Sequence, residues 1–194
     1  MEMELALPAL KTDRLVLRLL ENEDVAGALS YVINNKEHLA GSAPARHGEY
    51  YTKRYWFERV KQDREDFEHD CAVRLFVFEH GQPNKVIGQV NLNEIVRSAA
   101  HFCYLGYGLA ADKQGQGLMS EAVGRCIQFA FEELNLHRVM ANYVPTNKRS
   151  GKLLERLGFK VEGFAENYLY LDGSWQDHVL TSLTNLNWRP PTRF

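Results

Sequence analysis

Apolar positions along the chain switch repeatedly between a strand period and a helix period. Arg14–Leu20 (RLVLRLL) alternates, with Leu15 and Leu17 on one face and Val16 and Arg18 on the other, and predicts a strand. Glu21–Asn34 predicts a helix with Asn22 as its cap, and Gly41, Pro44 and Gly48 mark a loop over Ala40–Glu49. Tyr51–Phe67 has helical spacing, with Tyr55, Val60 and Phe67 near one face. Its acids (Glu58, Asp63, Glu65, Asp66, Glu68 and Asp70) outnumber Arg59, Lys61 and Arg64, which reads as a solvated helix face; the alternative is a surface that attracts a basic acceptor. Ala72–Glu79 (AVRLFVFE), Lys85–Val96 and His101–Leu109 (HFCYLGYGL) predict three strands. With the turn Gly81-Gln82-Pro83-Asn84 they make an antiparallel meander.

The period then lengthens. Gly117–Leu134 carries one apolar row at Leu118, Ala122, Cys126, Ala130 and Leu134, and a second at Met119, Val123, Ile127 and Phe131. Two adjacent rows four apart form one broad stripe on a helix. His137–Val144 predicts a strand. Asn147–Leu157 predicts a second helix with Leu153, Leu154 and Leu157 inward and Gly158 as a left-handed stop. Phe159–Leu171, the turn Asp172-Gly173 and Trp175–Leu183 predict a closing hairpin, and Asn187–Phe194 a peripheral tail. The order is that of a mixed α/β (α+β) domain, with helices flanking a largely antiparallel central sheet. It is expected to be one domain over residues 1–194 with its core at about 14–183.

Composition narrows the class. Of 194 residues, 45% are hydrophobic and 25% charged, and the net charge is −2. Those values exclude a disordered or fibrous chain and one basic enough overall to coat DNA. Cys71, Cys103 and Cys126 are odd in number, with no ligand spacing, so they predict buried thiols in a reducing compartment and no metal site. The opening Met1–Leu5 carries acids where a secretory signal carries bases. No apolar run reaches the roughly 18 residues of a membrane span. A cytoplasmic protein without a membrane partner is expected, as monomer or dimer.

The chemistry concentrates in Leu109-Ala110-Ala111-Asp112-Lys113-Gln114-Gly115-Gln116-Gly117-Leu118-Met119, where a strand ends and a long helix begins. Gly115 and Gly117 let the backbone turn, and the N–H groups of the first helical turn have no partners within the helix. Together with the positive helix end they make a main-chain cradle for a pyrophosphate. Neither GxGxxG nor GxxxxGK[ST] is present. Downstream, Asn147 is placed to cap a helix whose first turn holds Ser150.

The order Gln-Gly-Gln-Gly–helix, strand, Asn-x-x-Ser–helix, Leu157-Gly158-Phe159 resembles the GNAT superfamily of acyl-CoA-dependent N-acetyltransferases, over Arg14 to about Leu183. Met119 departs from the Gly or Ala usual at the end of that family's loop. The strings around His101–Tyr107, Met140–Gly151 and Asp172–Thr181 resemble its ribosomal-protein alanine N-acetyltransferases of the RimJ type. The resemblance implies acetyl-CoA as donor and the N-terminal amine of a ribosomal protein beginning with alanine as acceptor. It also implies an association with the small ribosomal subunit. Carried over by position, it assigns the coenzyme to Tyr107, Gly108, Leu109, Gln114, Gly115, Gln116, Gly117, Leu118, Met119, Asn147, Ser150 and Lys152.

Within that resemblance, the strand end Tyr107–Leu109 offers a backbone edge to the pantetheine arm, and an N–H near Leu109 polarises the thioester oxygen. Read apart from the resemblance, Tyr107 is expected to pack in the core against the next strand and Gly108 to form a bulge that splays the strands. The Tyr that serves many relatives as acid falls at Leu154, so Ser150 replaces it, by its hydroxyl or a held water. Glu94 is the favoured base, with Glu166, Tyr104 and His101 as alternatives. Lys148, Arg149 and Lys152 are read as a solvated face, as contacts to coenzyme A phosphates, or as contacts to ribosomal RNA. The competing functions are acetylation of a small amine, a ribosome-assembly role in which acetyl transfer is secondary, and coenzyme binding without turnover.

Overall fold

The structure is a computed structural model and describes residues 7–40, 44–46 and 48–190. The opening segment Met1–Leu5 with its two glutamates, Gly41 within the predicted loop, and the last four residues lie outside that range. Strand β1 (Ala9–Lys11) has three residues, too few for an alternation to register in the sequence. β2 (Leu15–Arg18) keeps the expected phase, with Leu15 and Leu17 buried and Val16 and Arg18 half-buried.

The helix predicted from Glu21 divides. A 3-10 turn, Asn22–Asp24, precedes α1 (Val25–Asn34), and the cap is Glu21, not Asn22. The reason is a reciprocal pair: the Glu21 and Asp24 side chains each accept from the other's backbone N–H. The guanidinium of Arg18 then locks Asp24 with bonds of 2.5 and 2.8 Å. The short α2 (Lys36–Leu39) follows, with no counterpart in the sequence reading. In α3 (Lys53–Glu68) the Thr52 hydroxyl accepts from the Tyr55 N–H at 3.3 Å. The buried face of α3 is Trp56, Asp63 and Phe67; Tyr55 and Val60 are only half-buried. The Trp56 ring sets that phase, packing edge-on to Phe76 at 5.8 Å while its N–H donates to the Tyr50 carbonyl. Asp63 therefore does not belong to a solvated face. It is 1% exposed, between Arg59 and Arg74.

The meander is β3 (Val73–Glu79), β4 (Val86–Val96) and β5 (Phe102–Leu109). Then come α4 (Leu118–Glu132), β6 (Arg138–Tyr143), α5 (Lys148–Arg156), β7 (Lys160–Leu171) and β8 (Ser174–Thr184). The β7–β8 turn has Asp172 and Gly173 both at positive φ, 46° and 84°, as an Asp-Gly hairpin turn requires. Among the described residues the eight strands form one sheet in the order β1-β2-β3-β4-β5-β6-β8-β7. Every neighbouring pair is antiparallel except β5–β6.

Two apolar layers sandwich this sheet. α4 and α5 cover one face through Leu118, Met119, Ala122, Leu153 and Leu154, packed on Val90, Leu92, Leu105 and Leu109. α1 and α3 cover the other through Val25, Ala28 and Trp56 on Phe76, Phe78 and Val86. Cys103 and Cys126 are fully buried as expected, whereas Cys71 is exposed. The start of the tail is not peripheral: the Trp188 ring packs against His101 in a tilted arrangement, centroids 5.0 Å apart, and donates its N–H to the Asn135 carbonyl. No helix among the described residues is long and apolar enough to cross a membrane.

The feature that positions a site is the parallel pair. β5 and β6 share only Phe102–Tyr104 against Arg138–Met140. Beyond Tyr104 the strands part. The bulge expected at Gly108 is instead in β4, where Glu94 has φ 52° and the register shifts between Asn93 and Val96; pairing through Gly108 is continuous.

Candidate active site

Where β5 and β6 part, a cavity of about 950 Å³ opens on the α4/α5 side. Its walls are the end of β5, the first turns of α4 and α5, and α2. Tyr107, Gly108, Leu109, Gln114, Gly115, Gly117, Leu118, Met119, Asn147, Ser150 and Lys152 all line it. Gln116 does not: its side-chain amide turns back to the Asp112 carbonyl. Met119 is buried against the core even as it reaches the wall, so its bulk is absorbed by packing.

The strand edge follows from hydrogen-bond alternation. The Ala110 N–H donates to the Ile87 carbonyl at 2.8 Å, and register with β4 is unbroken from Leu109 back to Tyr104. In an antiparallel pair, alternate residues point their N–H and C=O toward the partner. Gly108 and Gly106 therefore face β4, while Tyr107 and Leu109 aim their main-chain groups into the gap left by β6.

The loop before α4 is shaped by glycine and fixed from outside. Gly115 and Gly117 have φ of 77° and 76°, the left-handed region, and a Cβ on Gly115 would meet nothing within 4 Å. Arg14 holds the loop: its guanidinium donates to the Gln116 carbonyl at 2.9 Å and pairs with Glu121 at 2.6 Å. Burial pushes the Glu121 carboxyl up, but the Thr12 hydroxyl, the Arg14 N–H and its guanidinium outweigh it and hold it below its ordinary value. Across the cavity mouth, Arg149 donates to the Gln114 side-chain oxygen, so the Gln114 amide nitrogen is left to donate to His38 Nε2 at 2.7 Å. Lys148 points to a neighbouring cavity of about 630 Å³ on the far side of α5; Lys152 borders both.

Two hydroxyls meet at the gap. Tyr107 Oη and Ser150 Oγ are 2.7 Å apart. The Asn147 side chain accepts from the Ser150 N–H at 3.1 Å, which both caps α5 and fixes Ser150 in its first turn. Burial pushes the Tyr107 phenol up to about 12, against a smaller opposing effect of the Ser150 bond. The phenol thus stays a proton donor at neutral pH. Leu154 is 1% exposed, in the core and outside the cavity lining.

On the opposite face lie Tyr104, Asn142 and Tyr168. Burial, then the neighbouring Tyr168 and Glu94, raises the Tyr104 phenol. The Asn142 amide donates to the Tyr168 hydroxyl at 3.3 Å, and Tyr168 stacks on His178 at 5.5 Å. Glu94 is exposed at its bulge, and Glu166 is exposed on β7. His101 precedes β5 at the end away from Tyr107, packed under Trp188, which removes it from the reacting region. Sequence reasoning missed Arg14, His38, Tyr168 and the Tyr107 hydroxyl. None carries a local signal, since each acts on a partner distant along the chain.

The cavity fits an elongated anionic ligand. The N-termini of α4 and α5 both open to it, Arg149 and Lys152 are cationic, and the left-handed glycines bare main-chain donors. Residues 14–160 match the family described as Acetyltransferase (GNAT) domain. The chain is 40% identical over 181 residues to the [Ribosomal protein uS5]-alanine N-acetyltransferase of Escherichia coli, covering 93% of each chain. The crystal structure of a ribosomal-protein-S5-alanine acetyltransferase from Vibrio fischeri superposes with a TM-score of 0.89 at 37% identity, over 94% of this chain and 100% of that one. RimJ of Mycobacterium smegmatis in complex with CoA-disulfide shares the fold, with a TM-score of 0.83 at 23% identity over 92% and 86% of the two chains. The strand edge, the glycine loop and the two helix ends thus belong to an acetyl-CoA-dependent N-acetyltransferase, and the chain is a member of the GNAT acetyltransferase family.

Proposed function

We propose that this enzyme acetylates the N-terminal α-amine of a protein, and that its acceptor is a ribosomal protein beginning with alanine, met in the cytoplasm during or after assembly into the small subunit. The names of the relatives at 40% and 37% identity favour that acceptor. The observation that carries the chemistry is the hydroxyl pair Tyr107–Ser150 on one side of the β5–β6 gap, with the Tyr104–Tyr168 pair on the other.

Acetyl-CoA supplies a thioester carbonyl and a thiolate leaving group. Gly115, Gly117, Gln114, Arg149 and Lys152 hold its phosphates, and the main chain of Tyr107 and Leu109 holds its arm. The Leu109 N–H, aimed into the gap, stabilises negative charge on the carbonyl oxygen. An α-amine has a pKa of ~8, so a weak base is enough to free its lone pair near neutrality. Glu94, beside Tyr104, takes that proton. On the other face Ser150 donates its hydroxyl proton to the departing sulfur, and Tyr107 donates to Ser150. The two chemical duties thus fall on opposite faces of the sheet.

The test is turnover of acetyl-CoA, followed by thiol release, with an alanine-initiated peptide copied from the start of ribosomal protein uS5; spermidine and an aminoglycoside serve as competing acceptors. Mass spectrometry is expected to place one acetyl group on the α-amine. Turnover of the small amines alone overturns this reading in favour of a small-molecule acetyltransferase.

A further inference from the structure

Gly106 is in mid-strand, where glycine weakens a strand and needs a reason. Its φ is not in the left-handed region, and a Cβ there would meet only the Asn93 side-chain nitrogen, at 3.8 Å. Nothing among the described residues demands a glycine there. Gly108 is the contrast: a Cβ there would press on the Tyr31 hydroxyl at 3.3 Å and on Leu39 at 3.4 Å, so helix packing accounts for it. Gly106 lies two residues beyond Tyr104, the last β5 residue paired to β6, and its side-chain position is on the face opposite Tyr107.

That face of β4 is a row of amides. Gln89, Asn91 and Asn93 alternate with the buried Val90 and Leu92, and each is half-buried. Asn93 accepts from Arg74 at 3.1 Å. Asn91, the cross-strand partner of Gly106, has a buried Oδ1 with no hydrogen-bond partner among the described residues. A buried acceptor without a donor is costly, and its natural complement is an N–H from a ligand. An open position and an unanswered acceptor therefore sit side by side on the face opposite Tyr107, two residues past the point where β5 and β6 part.

We infer that Gly106 and Asn91 form the subsite for the first residue of the acceptor: the missing side chain of Gly106 leaves room for a small first side chain, and Asn91 Oδ1 accepts from the peptide N–H that follows it. This rests on the α-amine reading above and adds the determinant of acceptor choice. It is tested with synthetic peptides that differ only in a first residue of Gly, Ala, Ser or Leu. The wild type is expected to prefer Ala and Ser over Leu by more than tenfold in kcat/KM. Gly106→Val is expected to lower kcat/KM for the Ala peptide by more than tenfold, chiefly through KM, and for the Gly peptide by less. Gly106→Ala, for which the space is open, is expected to show the same trend more weakly with an unchanged or higher Tm. CoA affinity, read by calorimetry, is expected to be the same in all three. Asn91→Leu is expected to raise KM for every peptide, and Asn91→Asp, which keeps an oxygen at that place, to restore it. Wild-type selectivity retained in a folded, CoA-binding Gly106→Val overturns the inference alone, as does an unchanged KM in Asn91→Leu. A wild type that turns over no peptide overturns the α-amine reading and this subsite with it.

Discussion

Ser150 and Tyr107 act as one unit, because each hydroxyl has the other within 2.7 Å. In the proposed mechanism Ser150→Ala removes the donor to the departing sulfur, and it is expected to lower kcat by about a hundredfold, in the usual range for a positioned acid. Tyr107→Phe leaves Ser150 in place but unheld, with an expected loss of about tenfold. The double variant is expected to be little worse than Ser150→Ala, since coupled groups are not additive. The pH profile separates the two faces. With its phenol raised to about 12, Tyr107 stays protonated well beyond neutrality, so kcat/KM is expected to rise with deprotonation of the acceptor and hold level to about pH 10. A fall below that pH that vanishes in Tyr107→Phe would contradict the assignment. Glu94→Gln is expected to flatten the rising limb, and an unchanged profile removes Glu94 as the base.

The loop between β5 and α4 depends on an element far from it in sequence. Thr12 and Arg14, between β1 and β2, converge on Glu121 in the first turn of α4, and Arg14 also reaches the Gln116 carbonyl. Arg14→Ala is expected to weaken CoA binding several-fold without touching the ligand. Glu121 carries the pH sign of the tie. Its carboxyl is held below its ordinary value in the fold, so its contribution is present above the unfolded value of about 4.5 and is lost as pH falls through the lower folded one. Relative to wild type, Glu121→Gln is expected to lower Tm at pH 7 by on the order of 1–2 °C and to make progressively less difference as the pH falls below about 4.5. Scanning calorimetry over a pH series from 7 downward checks it.

At this scale the limits of the sequence have physical causes. α4 and the β7–β8 hairpin were legible because a long apolar stripe and an Asp-Gly turn are local statements. β1 and α2 were not, since three and four residues carry no period. Most of the cavity lining could be named from the glycine loop and the Asn147 cap, because backbone geometry places it. The Arg14 clamp and the Gln114 bridge from Arg149 to His38 were out of reach, because they join residues that only the folded sheet brings together.

For the whole molecule the question is whether acetyl passes directly or by way of the protein. A covalent route needs a nucleophile that is ionised and within reach of the gap. Cys103 and Cys126 are fully buried, and burial pushes both thiols up, Cys103 to about 12, so neither holds a thiolate at neutral pH. Neither lines the cavity, and exposed Cys71 lies before β3, away from the strand gap. In the mechanism proposed above, the donor occupies the cavity on the α4/α5 side and the acceptor meets it where β5 leaves β6. That mechanism requires both to be bound before transfer. Initial rates against both substrates are therefore expected to give intersecting lines, with parallel lines the signature of an acetyl-enzyme. Replacing Cys103 and Cys126 with alanine tests the same point from the other side. Because both are in the core, those variants are expected to lose Tm yet keep kcat, and intact-mass measurement after exposure to acetyl-CoA alone is expected to show unmodified protein. A stoichiometric acetyl adduct that transfers to peptide would show that the sheet does not bring the two substrates together, and would overturn the division of labour between its faces.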